Sequence, residues 1–109
     1  MVHISIGSAF ITEFECDFEP LVDTGFSGAV AVPRGLIPAS VIPETLSDWR
    51  LADGTQVTAP TYTGYVTIGQ LPPVLADIIV LENAALLGRA VTNQFRVIFD
   101  HGTRVIVEP

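Results

Sequence analysis

The chain has 109 residues, 49% hydrophobic and 16% charged, which suits one folded domain over residues 1–109 and excludes wholesale disorder. Twelve acidic against five basic residues give a formal net charge of −7. The basic residues are scattered arginines (34, 50, 89, 96 and 104) with no lysine, so the clustered cations that nucleic acid or an anionic membrane surface demands are missing.

Cys16 is the only cysteine, so no intrachain disulfide is expected, and Cys16, His3 and His101 lack metal-ligand spacing. "MVHISIG" has neither a basic region nor a long apolar core, and no apolar run reaches the ~20 residues of a membrane span. A soluble, cytoplasmic protein is expected. The excess of acid reads as a solubility feature.

In chain order, "VHISI" alternates as a strand does, and "AFITEFEC" continues in that style after Gly7-Ser8. "EPLVD" is a short strand ending at an acid, and "AVAVP" is another after Gly28. Pro33, Pro38 and Pro43 with Gly35 make "PRGLIPASVIPETL" irregular, with at most one helical turn from Pro43 to Leu46. "DWRLADGTQVTAP" reads as a hairpin turning at Asp53-Gly54. "TYTGYVTIG" is rich in strand formers, Gly69 to Pro73 turns the chain, and "VLADIIVL" reads as a strand buried on both faces. In "ENAALLGRAVTNQF", Gly88 separates a strand "ALL" from a short helix from Arg89 to about Phe95. "FRVIFD" and "TRVIVEP" form a last hairpin across Asp100-His101-Gly102. The pattern predicts an all-β domain with one short helix, most simply a closed or partly closed barrel.

One stretch carries chemistry: "LVDTGFSGAV", in which Leu21 and Val22 lead into Asp23-Thr24-Gly25. Asp and Gly are ordinary turn residues, and a given tripeptide arises by accident in roughly one chain in a hundred of this length. The two readings are a plain turn and a catalytic carboxylate. Downstream come the Ala52-Asp53-Gly54 hairpin tip and then Leu86-Leu87-Gly88, followed by the short helix.

Acid loop, hairpin, apolar-apolar-Gly and helix is the order found in retropepsin-like aspartic proteases. The chain resembles that superfamily over nearly its whole length, and specifically the small standalone prokaryotic members known as clan AA aspartic proteases. The resemblance implies a closed β-barrel, with Asp23 as the catalytic aspartate. It gives Thr24 a hydroxyl reaching across to the partner subunit's loop, and Gly25 the close approach of backbone and substrate. The hairpin from about Trp49 to Val57, with Leu51, Ala52, Asp53 and Gly54 around its tip, becomes a flap closing over substrate. Leu86, Leu87 and Gly88 become the segment packed beneath the acid loop. The chain departs from the family pattern at Phe26, where a small residue is usual, and at Ser27, where an acid often pairs with the arginine after the second glycine. Arg89 is present without that partner, so Phe26 and Ser27 are candidate subsite residues.

Peptide hydrolysis of this type needs one carboxylate to take a proton from water and one carboxylic acid to polarise the carbonyl. Two close carboxyls supply both, because like charges that near cannot both ionise; the aspartic-protease dyad is the type case. The chain has one Asp-Thr-Gly, and Asp100 in "FDHGT" reads as a turn residue. The resemblance therefore implies a homodimer with one Asp23 per subunit, with "VHISI" and "RVIVEP" as candidates for a dimer sheet. It implies a peptide or protein substrate, and neither metal nor organic cofactor. Two alternatives stand beside it: a non-catalytic peptide-binding or dimerisation module on the same fold, and an unrelated barrel whose Asp-Thr-Gly is a turn. His3 and His101 read as surface residues, Cys16 as a half-buried hydrophobe, and Trp49 as core or flap packing or a cleft wall. Ser8, Ser27 and Ser40 have no nucleophile-elbow setting.

Overall fold

The computed structural model describes residues 1–7, 11–51 and 53–109. Ser8, the Ala9-Phe10 start of the expected second strand, and Ala52 at the expected flap tip lie outside the described residues.

Strand β1 (Val2–Gly7) pairs antiparallel with β2 (Thr12–Phe18), Val2 facing Phe18 and Ile6 facing Phe14. Alternation sends Val2, Ile4 and Ile6 of β1 into the core, while Glu13, Glu15 and Asp17 of β2 face water, the period-two pattern of a half-buried sheet. Then follow β3 (Leu21–Val22), β4 (Val30–Pro33), β5 (Thr45–Arg50), β6 (Gln56–Ile68), β7 (Val74–Leu81) and β8 (Leu86–Leu87). A single helical turn, α1 (Arg89–Thr92), precedes the hairpin of β9 (Arg96–Asp100) and β10 (Arg104–Glu108).

The main sheet runs in the order β2-β1-β6-β7-β4-β8-β3, with β5 on β6, and β9–β10 form a separate two-stranded sheet. The two ends of that path, β2 and β3, are consecutive in the chain and joined only by Glu19-Pro20. So short a link draws the ends together, and the sheet curls into a half-barrel. The protein is all-β with one helical turn.

The larger core fills the inside of the curl, with Ile4, Val30, Val32, Val66 and Ile78 fully buried. A second, smaller cluster of Phe26, Ala31, Ala59 and Ile79 lies beside it, covered by Trp49, Leu81 and Leu86. Successive residues Ala31 and Val32, or Ile78 and Ile79, enter different clusters, so β4 and the second half of β7 are buried on both faces. The expectation for "VLADIIVL" holds there and not earlier, since Leu75 is 65% exposed and Asp77 also faces water.

Several local expectations shift. Pro43 to Leu46 forms no helical turn: Glu44 N–H donates to Thr61 O (2.9 Å) and β5 begins at Thr45. The two strands expected on either side of Pro60 are one strand, β6. Pro60 faces Leu46 of β5, and pairing with β7 starts only at Thr61, so its missing N–H is lost to no second ladder. The helix ends at Thr92, short of Phe95, with Asn93 as its C-cap. The last hairpin turns as expected: Thr103 N–H donates to Asp100 O (3.0 Å), with His101 at φ 52 and Gly102 at φ 70. β1 is paired with β2 on one side and β6 on the other, so "VHISI" has no free edge for a dimer sheet.

Candidate active site

The short strands β3 and β8 carry the Asp23 loop. β3 pairs parallel with β8, Leu21 beside Leu86 and Val22 beside Leu87, while β4 pairs antiparallel with the same two residues. β8 therefore lies between the strand that enters the acid loop and the strand that leaves it. Around it, Asp23 N–H donates to Leu87 O (3.0 Å), Gly88 N–H to Ala29 O (2.8 Å), Arg89 N–H to Phe26 O (2.9 Å) and Ala90 N–H to Gly28 O (3.2 Å). Leu86, Leu87 and Gly88 are thus brought against the acid loop.

Gly88 is glycine for a steric reason. A Cβ there would lie 2.1 Å from Gly28 O, well inside any van der Waals contact. Within the loop, Gly25 N–H donates to Asp23 Oδ1 (2.9 Å) and Phe26 N–H to Asp23 O (3.2 Å). This is an Asx turn, in which an aspartate fixes its own loop. Asp23 is half-buried, whereas Thr24 and Gly25 are exposed. The Thr24 hydroxyl has no partner among the described residues. Thr24 borders a cavity of about 330 Å³ shared with Val22, Phe95, Val97 and Phe99, which sets the last hairpin next to the loop.

Phe26, read from sequence as a subsite residue, is 0% exposed. It packs against Gly28 and Gly88, where any added Cβ would fall within 2.8 Å of its ring, and meets Trp49 edge-on with centroids 6.0 Å apart. Within the single chain it is therefore a packing residue. Ser27 is exposed and borders a groove with Trp49 and Asp77. Arg89 is exposed and has no ion-pair partner among the described residues.

The β5–β6 hairpin closes with Arg50 opposite Gln56, and Leu51 N–H donates to Thr55 O (2.8 Å). The connection is thus longer than the Asp53-Gly54 dipeptide. Gly54 takes φ +87, where a residue without Cβ is favoured. Asp53 Oδ1 accepts from Thr55 N–H (2.8 Å), and hydrogen bonds from the Thr55 side chain and backbone hold its carboxyl below its ordinary range. Leu51 is half-buried, while Asp53 and Gly54 are exposed. The root of this hairpin is tied to the acid loop through Trp49 and Phe26, a link that sequence patterning did not signal.

Asp100 is already engaged, with Oδ2 accepting from Arg104 Nε (2.7 Å) and Oδ1 paired with His101 Nδ1 (2.7 Å). His3 sits between Asp17 and Glu15 on the sheet surface (2.7 and 3.6 Å). Among the described residues no group of three or more His, Cys, Asp and Glu is placed to hold a metal ion, and no helix is long and apolar enough to cross a membrane. A lone Asp23 carboxylate can act as a base or accept hydrogen bonds; polarising a carbonyl as an acid at the same time requires a second, protonated group. Comparison with protein-family models, with curated proteins and with solved structures gave no match.

Proposed function

We propose that this chain is an aspartic endopeptidase of retropepsin-like fold, acting as a cytoplasmic homodimer without a cofactor. Asp23 of each subunit contributes one carboxyl to a pair sharing a proton. The ionised carboxylate takes a proton from water as its oxygen bonds to the scissile carbonyl carbon. The protonated partner hydrogen-bonds the carbonyl oxygen, and the C–N bond breaks as the carboxyl that took the water proton delivers it to the leaving nitrogen. Substrate lies extended beneath the β5–β6 hairpin as an added strand. In this reading the curled sheet completes a barrel and β9–β10 faces the partner subunit.

The observation that carries this reading is the seat of the acid loop. Asp23, at the end of β3, is hydrogen-bonded to Leu87, and Gly88 abuts the loop backbone closely enough to demand glycine. A plain surface turn needs no such buttress from a distant segment. The test is cleavage of a denatured protein at acidic pH, sensitive to pepstatin and abolished by Asp23→Asn. Unchanged activity in Asp23→Asn or Asp23→Ala would sink the mechanism, and an active monomer by sedimentation would sink the shared pair.

A second reading, a non-catalytic peptide-binding or dimerisation module, is favoured by one observation. Phe26 and Trp49 fill the space between acid loop and hairpin root with the chain's own side chains. Saturable peptide binding with no cleavage by the wild-type dimer would select it.

A further inference from the structure

Beside the acid loop, on the side of the smaller core cluster, lies an open groove of about 340 Å³. Its lining includes Ser27 and Gly28, which follow the Asp23 turn, together with Trp49, Thr63, Leu75 and Asp77. The volume falls within the range of small-ligand sites.

Two of these residues set the chemistry of an occupant. Asp77 is exposed and has neither a hydrogen bond nor an ion pair from its side chain among the described residues. It interrupts the otherwise apolar β7 at the point where that strand passes the groove. Trp49 provides an aromatic wall, and its indole N–H is buried with no acceptor among the described residues. That donor is closed off from the groove, so an occupant meets the ring of Trp49 and not its N–H. A carboxylate and an indole lining one groove suit a cation, and a planar guanidinium answers to both, able to stack on the ring and to donate N–H groups to the carboxylate. The net charge of −7 adds a field that favours cationic ligands over neutral ones.

We infer that this groove binds a basic side chain, arginine in the first place, of a peptide lying past the acid loop. Its role as a substrate subsite rests on the peptidase reading above; its selectivity does not.

The test is a titration of the full-length chain with acetyl-Ala-Arg-Ala-amide and with the same peptide carrying citrulline, which keeps the shape of arginine and removes its charge. Emission is followed from Trp49, the only tryptophan. The arginine peptide is expected to give a saturable change at a concentration at least about tenfold lower than the citrulline peptide, roughly 1.4 kcal/mol. Asp77→Asn should bring the two peptides together. Glu82→Gln, which removes the same charge from the Arg34 pair, should leave the discrimination intact. Equal behaviour of the two peptides with wild type, or discrimination that survives Asp77→Asn, overturns the inference. Cleavage is scored separately with Asp23→Asn. A chain that cleaves but ignores the arginine charge loses only the groove; one that selects arginine and never cleaves loses only the peptidase reading.

Discussion

Gly88 and Gly28 meet across the seat of the acid loop at a distance that admits no side chain: a Cβ on Gly88 would lie 2.1 Å from Gly28 O and 2.7 Å from Phe26 Cδ2. Gly88 has φ −99, which any residue adopts, so the objection to a larger residue is purely steric. Neither obstacle can give way easily, because Gly28 O already accepts from Ala90 N–H and Phe26 is fully enclosed.

Gly88→Ala is therefore expected to destabilise the fold by about 3 kcal/mol, the upper range for overpacking a filled site. Gly54→Ala makes the contrast. Nothing lies within 4 Å of its added Cβ, and only its φ of +87 resists, so its cost should be about 1 kcal/mol. Urea midpoints of the two variants measure the difference. Equal midpoints would mean that the acid loop is not seated on β8 as described.

Phe26→Ala should be costlier still. The ring touches both glycines and Trp49, and removing a buried phenylalanine costs about 3–5 kcal/mol out of a domain total of about 5–15. Phe26→Leu keeps most of the volume and should lose less than about 2 kcal/mol. Because Trp49 shares the cluster, its emission should move to the red in Phe26→Ala before global unfolding. No change in either emission or midpoint would contradict the enclosed position of the ring.

Much of this arrangement was legible in the sequence, for reasons that differ from place to place. Period-two alternation gave β1 and β2, because one of their faces meets water. Asp-His-Gly gave the last turn, because the chain must take positive φ there and these residue types tolerate it. Leu86-Leu87-Gly88 was legible only through the family resemblance; nothing local states that a pair of leucines will lie between β3 and β4. Tertiary pairing decided the rest. Pro60 suggested a break, yet it falls where β6 needs no second ladder. "VHISI" suggested a chain-end strand available to a partner, yet it pairs on both sides. Phe26, standing where the family pattern has a small residue, suggested a subsite, whereas it turns inward against two glycines. Asp77 was hidden inside a strand read for its apolar residues.

Alkaline pH tests the burial of two other groups. Burial, and secondarily the charge of Asp17, push the Cys16 thiol above its ordinary value of 9.0, and burial pushes the Tyr62 phenol above 10.0. Both groups become anions on losing a proton, and the unfolded chain loses those protons first. Stability is therefore fully present below pH 9 and falls as pH rises through the raised folded values. Urea midpoints between pH 8 and pH 11 should decline in two stages. Cys16→Ala should flatten the first stage. Tyr62→Phe should flatten the second, while lowering the whole curve by about 1 kcal/mol for the lost hydrogen bond to Val41 O (2.9 Å). A curve that is level to pH 11 would place both groups in water.

Thr24 separates assembly from folding. Its side chain is exposed and forms no hydrogen bond with the described residues, so Thr24→Val removes nothing from the single chain, and its unfolding at low concentration should stay within about 0.5 kcal/mol of wild type. In the proposed homodimer each hydroxyl reaches the opposite loop, and the two-fold axis makes every loss count twice. Two hydrogen bonds at about 0.7 kcal/mol each amount to about 1.4 kcal/mol, or a tenfold weaker dimer. Sedimentation across a concentration series should show the monomer–dimer midpoint shifted by that factor, with Thr24→Ser close to wild type because the hydroxyl is retained. Peptidase activity should follow the dimer fraction and return at high concentration, since Asp23 is untouched. A Thr24→Val chain that dimerises like wild type would remove Thr24 from the interface, and one that unfolds would show that the hydroxyl serves its own subunit.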